Sequence, residues 1–328
     1  MTPLLDVRGL TKHYAGPHGR VLHALEDVSF TVAAGEALGV VGESGCGKST
    51  LGKSLLRLVE PTAGEVLFEG EDVLPLSRRA MAAKRRDMQM VFQDPFGSLN
   101  PRHSVGTIVG EPLAIHGMPG GKARVAELLD QVGLPADAAG RYPHEFSGGQ
   151  RQRVAIARAL ALGPKLLVAD EPVSALDVSI QSQIINLIGD LRRAYGLAMI
   201  FISHDLSVIR HVSDRIAVMY LGRIVEIGPA AQVFEAPAHP YTRALLSAVP
   251  RRPGAAQPRE RIILHGDLPD PSSPPPGCAF HGRCPAAMPR CSVEPPELVS
   301  RHVAETGGTA IAACHLHEHA DAPALEPA

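Results

Sequence analysis

Eight consecutive residues carry the most specific chemistry in this 328-residue chain: Gly42-Glu43-Ser44-Gly45-Cys46-Gly47-Lys48-Ser49, which fits G-x-x-x-x-G-K-[ST]. Glycines let successive backbone N–H groups turn inward on phosphate oxygens, and a helix beginning at the loop adds the positive end of its dipole. Lys48 supplies a point charge for β- and γ-phosphates, and the Ser49 hydroxyl suits Mg²⁺, which takes few protein ligands. An apolar strand, Ala37–Val41, precedes the loop and the helix-compatible Thr50–Leu58 follows it, the context this motif needs. Cys46 fills a position of which the motif asks nothing, so it reads as a small filler rather than a redox group.

Three further runs end in a polar residue. Leu166–Ala169 is apolar and leads into Asp170 and Glu171; Met199–Ser203 leads into His204; Met88–Phe92 leads into Gln93. Strands that end this way deliver side chains to the carboxyl edge of a parallel sheet, where α/β proteins bind ligands. There Asp170 suits a Mg²⁺ water shell, Glu171 suits a general base for an attacking water, His204 suits a γ-phosphate contact, and the Gln93 amide can reach both metal and water. Taken singly, each is more often a loop residue or cap than a catalytic group; together with the phosphate loop, convergence on one site is the better explanation.

The elements that must position these groups are short β-rich runs alternating with helical stretches up to about Gly228, the pattern of an α/β fold. Ile216–Tyr220 and Arg223–Ile227, separated by Leu221-Gly222, read as a hairpin that closes this domain. Between Asp94 and Arg141 strand signals vanish and Arg124–Val132 reads as a helix, so an inserted helical subdomain is expected there.

Phe146-Ser147-Gly148-Gly149-Gln150 adds a second candidate anion site: Ser147 can cap a helix through Arg151–Leu160, with Gln150 as its capping-box partner. Two chains arranged head to tail can aim this helix end and the phosphate loop at one phosphate more easily than one chain can. The stretch resembles the signature motif of ATP-binding cassette (ABC) ATPases, and the resemblance extends over nearly the whole chain. It implies an α/β P-loop (RecA-like) nucleotide-binding domain with an antiparallel β subdomain and the helical insertion, binding ATP and Mg²⁺. By resemblance Tyr14 is the aromatic that stacks on adenine, with an ordinary strand-end tyrosine as the alternative. Gly42–Ser49 with Thr50 is the Walker A loop, and Gln93 the Q-loop. Asp170 is the Walker B aspartate, Glu171 the catalytic glutamate and His204 the switch histidine. Lys48 acts on the γ-phosphate, Ser147–Gln150 binds ATP in trans, and Ser174-Ala175-Leu176-Asp177 is the D-loop that crosses to a partner. Mg²⁺ falls to Ser49, Gln93 and Asp170.

Within that family Gln93–Arg102, His239-Pro240-Tyr241-Thr242 and the chain end are similar to the ATPase subunits of dipeptide and oligopeptide importers, most of all the second of the two. The implied partners are a second ATPase subunit, two membrane permease subunits and an extracytoplasmic peptide-binding protein, with no nucleic acid. The implied place is the cytoplasmic face of the inner membrane, held peripherally. Residues 94–102 would then lie near the groove for a permease helix, or be a plain surface loop. Alternatives are an importer ATPase for another small solute such as glutathione or a nickel chelate, a soluble ABC ATPase, and a regulatory subunit without hydrolysis.

Composition fits a globular chain: 45% hydrophobic, 20% charged, net charge −2. No apolar run approaches the ~20 residues that cross a bilayer, and the start, Met1–Asp6, lacks the regions of a signal peptide, so the chain is expected to stay in the cytosol. The averages hide an asymmetry, since residues 229–328 hold 17 of the 29 prolines and four of the five cysteines. We therefore divide the chain into a nucleotide-binding domain, 1–228, with the helical subdomain at about 94–160, and an irregular Cys/Pro-rich domain, 229–328, too interrupted for long regular elements. Cys278, Cys284, Cys291 and Cys314 are separated by five, six and twenty-two residues. Stable disulfides do not suit the cytosol, and the short C-x₂₋₄-C pairs of common zinc sites are missing. Reduced thiolates can hold zinc or an iron–sulfur cluster; the importer resemblance implies [4Fe–4S], with Zn²⁺ or free thiols as the alternatives, and His315, adjacent to Cys314, is a candidate substitute ligand.

Overall fold

Alternating apolar residues make two long opening strands, β1 (Leu5–Ala15) and β2 (Val21–Val32), which a computed structural model pairs antiparallel from Leu5 opposite Val32 to Ala15 opposite Val21. The strands that follow are β3 (Ala37–Val41), β4 (Ala63–Phe68), β5 (Glu71–Asp72), β6 (Met88–Val91), β7 (Leu166–Asp170), β8 (Ala198–Ile202), β9 (Arg215–Tyr220), β10 (Arg223–Pro229), β11 (Val299–Val303), β12 (Gly308–Ala312) and β13 (Glu318–His319). The structure describes residues 2–16, 19–119, 121–249, 261–303 and 308–319. They fall into two units, one of Met1–Val32, Leu38–Leu74 and His204–Ala328, the other of Ala33–Ala37 and Pro75–Ser203. Neither has an edge at residue 228. Among the described residues no helix is long and apolar enough to cross a membrane.

In the first unit β2-β1-β4-β5 form an antiparallel sheet, and a second sheet runs β13-β11-β12-β10-β9-β3. β3 lies parallel to β9, with Leu38 opposite Arg215 and Val41 opposite Val218. β9 and β10 are the expected hairpin, turning at Leu221 (φ 45°) and Gly222 (φ 76°), two left-handed residues in sequence as tight hairpins of matching twist require. The hairpin does not close the sheet as expected. β12 pairs with β10, Glu226 opposite Ala312 and Ile227 opposite Ile311, so the chain end adds strands. The proline-rich region also forms helices Ala230–Glu235 and Pro240–Ser247, the second with Pro240 in its first turn, where a missing N–H costs nothing. That region is thus more regular than its prolines indicate, because prolines there mark element starts rather than exclude elements.

The second unit holds the parallel strands β8-β7-β6, with Leu166 opposite both Met88 and Ala198. Every residue of β7 and β8 is buried, as in a sheet covered on both faces. Between 94 and 160 the described residues form helical elements and no strand. Val105–Ile115 is capped by Ser104, whose Oγ accepts the Thr107 N–H, and buries Ile108, Val109 and Leu113. Gly121–Gln131 buries Val125, Leu128 and Leu129, one helical stripe.

Candidate functional site

The phosphate loop leaves β3 in the first unit and enters the helix Lys48–Leu55. Gly47 sits at φ 105°, and a Cβ there would lie 2.2 Å from the Ala24 carbonyl oxygen, so only glycine fits. Lys48 is 5% exposed, and its Nζ donates to the carbonyls of Gly42 (2.8 Å) and Glu43 (2.9 Å). Ser44 and Gly45 are exposed at the tip, and Ser49 and Thr50 are half-buried on the first helical turn. Burial pushes the Cys46 thiol up despite Lys48 nearby, which keeps it protonated and inert. Tyr14, half-buried on β1, carries Lys12 Nζ 4.7 Å above its ring. His204 belongs to this unit and is exposed just before Asp205, whose Oδ1 caps the helix Leu206–Val212.

Two residues 198 and 240 positions downstream of Glu43 bear on the loop. The N–H of Glu43 donates to Tyr241 Oη (2.9 Å), and the Glu43 carboxylate receives Arg283 Nη1 (2.8 Å) and Nη2 (3.2 Å). The His239–Thr242 motif thus has a place at the loop, whereas nothing in the spacing marks Arg283.

The second unit gathers the other candidates. Asp170 ends β7 at 2% exposure. Glu171 follows at φ 45°, a conformation that strains any non-glycine residue. Its N–H donates to Ile202 O at the end of β8 (3.0 Å), and its carbonyl accepts Ser174 Oγ (3.1 Å). Gln93, 78 residues away in sequence and exposed after β6, donates from Nε2 to Glu171 Oε2 at 3.1 Å. Ser147 and Gln150 form the expected reciprocal cap at the start of the helix Gly148–Leu160: Ser147 N–H to Gln150 Oε1 at 3.0 Å, Gln150 N–H to Ser147 Oγ at 3.4 Å. A Cβ on Gly149 would lie 2.5 Å from Ile180 Cγ2, a clash, and one on Gly148 would lie 3.3 Å from Leu176 Cδ2, a tight contact. That packing places Ser147 beside Ser174–Asp177, and Ser147, Ser174, Ala175 and Asp177 are all exposed.

The four tail cysteines are free thiols, Cys291 and Cys314 buried and Cys278 and Cys284 half-buried. Burial pushes Cys314 up to about 11, and charge on Cys278, Cys284 and Cys291 would push the same way. Backbone N–H groups favour the thiolates: those of Phe280 and His281 at Cys278, Ala286 at Cys284 and Leu316 at Cys314. These contacts are outweighed by burial, which raises all three thiols. A zinc tetrahedron brings its sulfurs to about 3.8 Å of one another, whereas among the described residues no three of these sulfurs lie within 4.8 Å of each other. His315 turns its Nε2 to the Glu294 carbonyl (2.9 Å).

One further cluster, unmarked in the sequence because it depends on strand register, is His13, His23 and Glu26, whose ligand atoms lie within 4.8 Å of one another. His13 and His23 are cross-strand neighbours, and both rings hydrogen-bond Glu26 Oε2 at 2.9 Å, which accounts for the cluster without an ion. Burial opposes ionisation of Glu26, but the bonds from His23 and His13 outweigh it and hold the carboxyl below its ordinary range.

The sequence pattern of the ABC transporter family matches residues 25–174, and that of the oligopeptide/dipeptide transporter C-terminal region matches residues 225–291. A putative peptide import ATP-binding protein of Brucella ovis is 55% identical over 301 residues, 90% of this chain and 94% of its own length. The oligopeptide transport ATP-binding protein AppF of Bacillus subtilis is 50% identical over 326 residues, 96% of this chain and 97% of its own. A solved dimeric ATP-binding cassette in a post-hydrolysis state with ADP and Pi is 31% identical, covers 69% of this chain and 98% of its own, and superposes with a TM-score of 0.63. With a phosphate loop, strand-end carboxylates and a capped Ser-Gly-Gly-Gln helix all present in such kinship, this chain belongs to the ATP-binding subunits of ABC transporters, in the branch that carries the oligopeptide/dipeptide transporter C-terminal region.

Proposed function

We propose that this ATPase powers import of dipeptides and oligopeptides across the cytoplasmic membrane. It works at the cytoplasmic face in a head-to-tail heterodimer with a second ATPase subunit, under two permease subunits supplied by an extracytoplasmic peptide-binding protein. The observation that carries this reading is identity of 50–55% over nine-tenths or more of the chain to proteins named for peptide import and oligopeptide transport. Residues 1–228 bind and hydrolyse nucleotide, with about 94–160 as helical subdomain, and 229–328 is the accessory domain.

Gly42–Ser49 and Thr50 cradle the phosphates, and Tyr14 stacks on adenine. Ser49, Gln93 and Asp170 would hold Mg²⁺, which when bound neutralises charge on the phosphate oxygens. Glu171 accepts the proton of the attacking water, and the hydrogen bond from Gln93 to its carboxylate supports that role by fixing the base beside an amide that can orient the same water. Lys48 and His204 stabilise charge on the γ-phosphoryl. Ser147–Gln150 would present N–H groups to ATP held by the partner, and the exposed Ser174, Ala175 and Asp177 with Leu176 would cross to it. Favouring the closed pair only when ATP is bound is what lets the nucleotide drive the cycle.

In the tail, Cys278, Cys284, Cys291 and Cys314 would hold a [4Fe–4S] cluster, which crosslinks a segment short of apolar residues; the zinc alternative is disfavoured by the spread of the sulfurs. Anaerobically purified protein should carry iron and labile sulfide, and stoichiometric zinc or no metal would refute the cluster. Substrate is tested by assembling the subunit with its permease and binding protein in liposomes. ATP-dependent uptake of labelled dipeptides or oligopeptides is expected; uptake of glutathione or a nickel chelate instead would overturn the peptide reading.

A further inference from the structure

Arg283 lies in the tail between Cys278 and Cys284, and its side chain ends on the phosphate loop. The guanidinium forks onto Glu43, Nη1 to Oε2 at 2.8 Å and Nη2 to Oε1 at 3.2 Å, with side chains only 11% and 27% exposed. Planar bidentate pairing of this kind is strong and directional. Its base is fixed as well. The Arg283 N–H donates to Phe280 O (3.0 Å), and Phe280, 1% exposed, packs its ring 5.2 Å from that of Tyr220 and 5.4 Å from that of Tyr241.

Glu43 is the one acid among Gly42–Ser49, a run that otherwise offers N–H groups and a lysine to an anion. An unpaired carboxylate there repels a triphosphate. The same residue is held at two backbone atoms: its N–H by Tyr241 Oη at 2.9 Å, and its carbonyl by Lys48 Nζ at 2.9 Å. Movement of Glu43 therefore moves the peptide on which Lys48 rests.

Resting on the assignment of Gly42–Ser49 to nucleotide phosphates, we infer that Arg283 is a positioning residue for that loop: by neutralising and holding Glu43, it makes nucleotide affinity depend on the cysteine-bearing tail. The contact runs from the tail to the loop entirely within one unit.

Binding of a fluorescent ATP analogue with Mg²⁺ to the full-length chain tests this, with a melting curve for each variant. Arg283→Ala should weaken binding about tenfold, and Arg283→Lys, which keeps charge but loses the fork, by less. Adding Glu43→Gln to Arg283→Ala should restore most of the lost affinity, since the unmasked charge is then gone. A merely structural role predicts lowered melting without that rescue. Unchanged affinity in Arg283→Ala, or loss that Glu43→Gln leaves in place, overturns the inference. If Arg283→Ala does not fold, Arg283→Lys with and without Glu43→Gln carries the same comparison. Lys48→Ala is the control: loss of binding there beside normal binding in Arg283→Ala sinks only the role of Arg283, whereas normal binding in Lys48→Ala removes the phosphate-site assignment itself.

Discussion

The phosphate loop and the proposed cysteine site of the tail draw their polar atoms from very different lengths of chain. The loop completes its cradle within eight consecutive residues, using backbone N–H groups, the obligatory glycine at 47 and one lysine. The tail draws sulfurs from positions spanning 278 to 314 and depends on strand β12 pairing with β10 and on Phe280 entering a ring cluster with Tyr220 and Tyr241. A site written in consecutive residues carries its own backbone geometry and leans on distant segments at few points, here Tyr241 and Arg283. A site gathered from distant segments is only as stable as the packing between them.

The comparison predicts that damage at the proposed ATP-site residues costs rate while damage to the packing of the tail costs stability. The largest effect is expected of Glu171→Gln: turnover falls by about 10²–10⁴-fold while ATP binding persists, read by phosphate release beside nucleotide binding. Normal turnover would remove Glu171 as the base. Phe280→Ala should lower unfolding free energy by about 3–5 kcal/mol, measured in denaturant, with loss of tail metal; a stable variant that keeps its metal would show that the ring cluster is not what holds the tail.

Next in size is a pH effect confined to the tail. Burial depresses His239 to about 3 from an ordinary 6.5, and His317 and Arg243 nearby press the same way. A group whose folded value lies below its unfolded one stabilises above the unfolded value and loses that contribution as pH falls. Stability should therefore drop from about pH 6.5 downward by up to about 1.4 kcal/mol per unit, and His239→Asn should flatten that slope. Smallest is a difference in thiol labelling. Cys46 is 1% exposed with its thiol pushed up by burial, so alkylation in the native protein should be slower than in urea by more than about tenfold. Cys278 and Cys284, each partly exposed, should be protected by bound metal and label after chelation; labelling that ignores the chelator would count against a metal there.

Much of the fold was legible because its signals are local. The buried strands Ala37–Val41 and Leu166–Asp170, the hairpin turning at Leu221-Gly222, and the Ser147–Gln150 cap each follow from neighbours within a few residues. The reach of the sheet into the tail was not legible. Pairing of Glu226 with Ala312 joins segments 86 residues apart, and the intervening prolines suppress periodicity that would have announced it. The His13–His23–Glu26 cluster was hidden for a related reason, since it exists only in one register of β1 against β2.

By itself the sequence determined that the chain carries a phosphate loop, strand-end carboxylates at Asp170 and Glu171, and a capped glycine helix end. Each depends on residue types at short fixed spacing, and backbone geometry then leaves little choice. Only the tertiary structure decided that Gln93 meets Glu171 and that Arg283 meets Glu43. Contacts across 78 and 240 residues are selected by which buried surfaces fit together, and no local pattern encodes that.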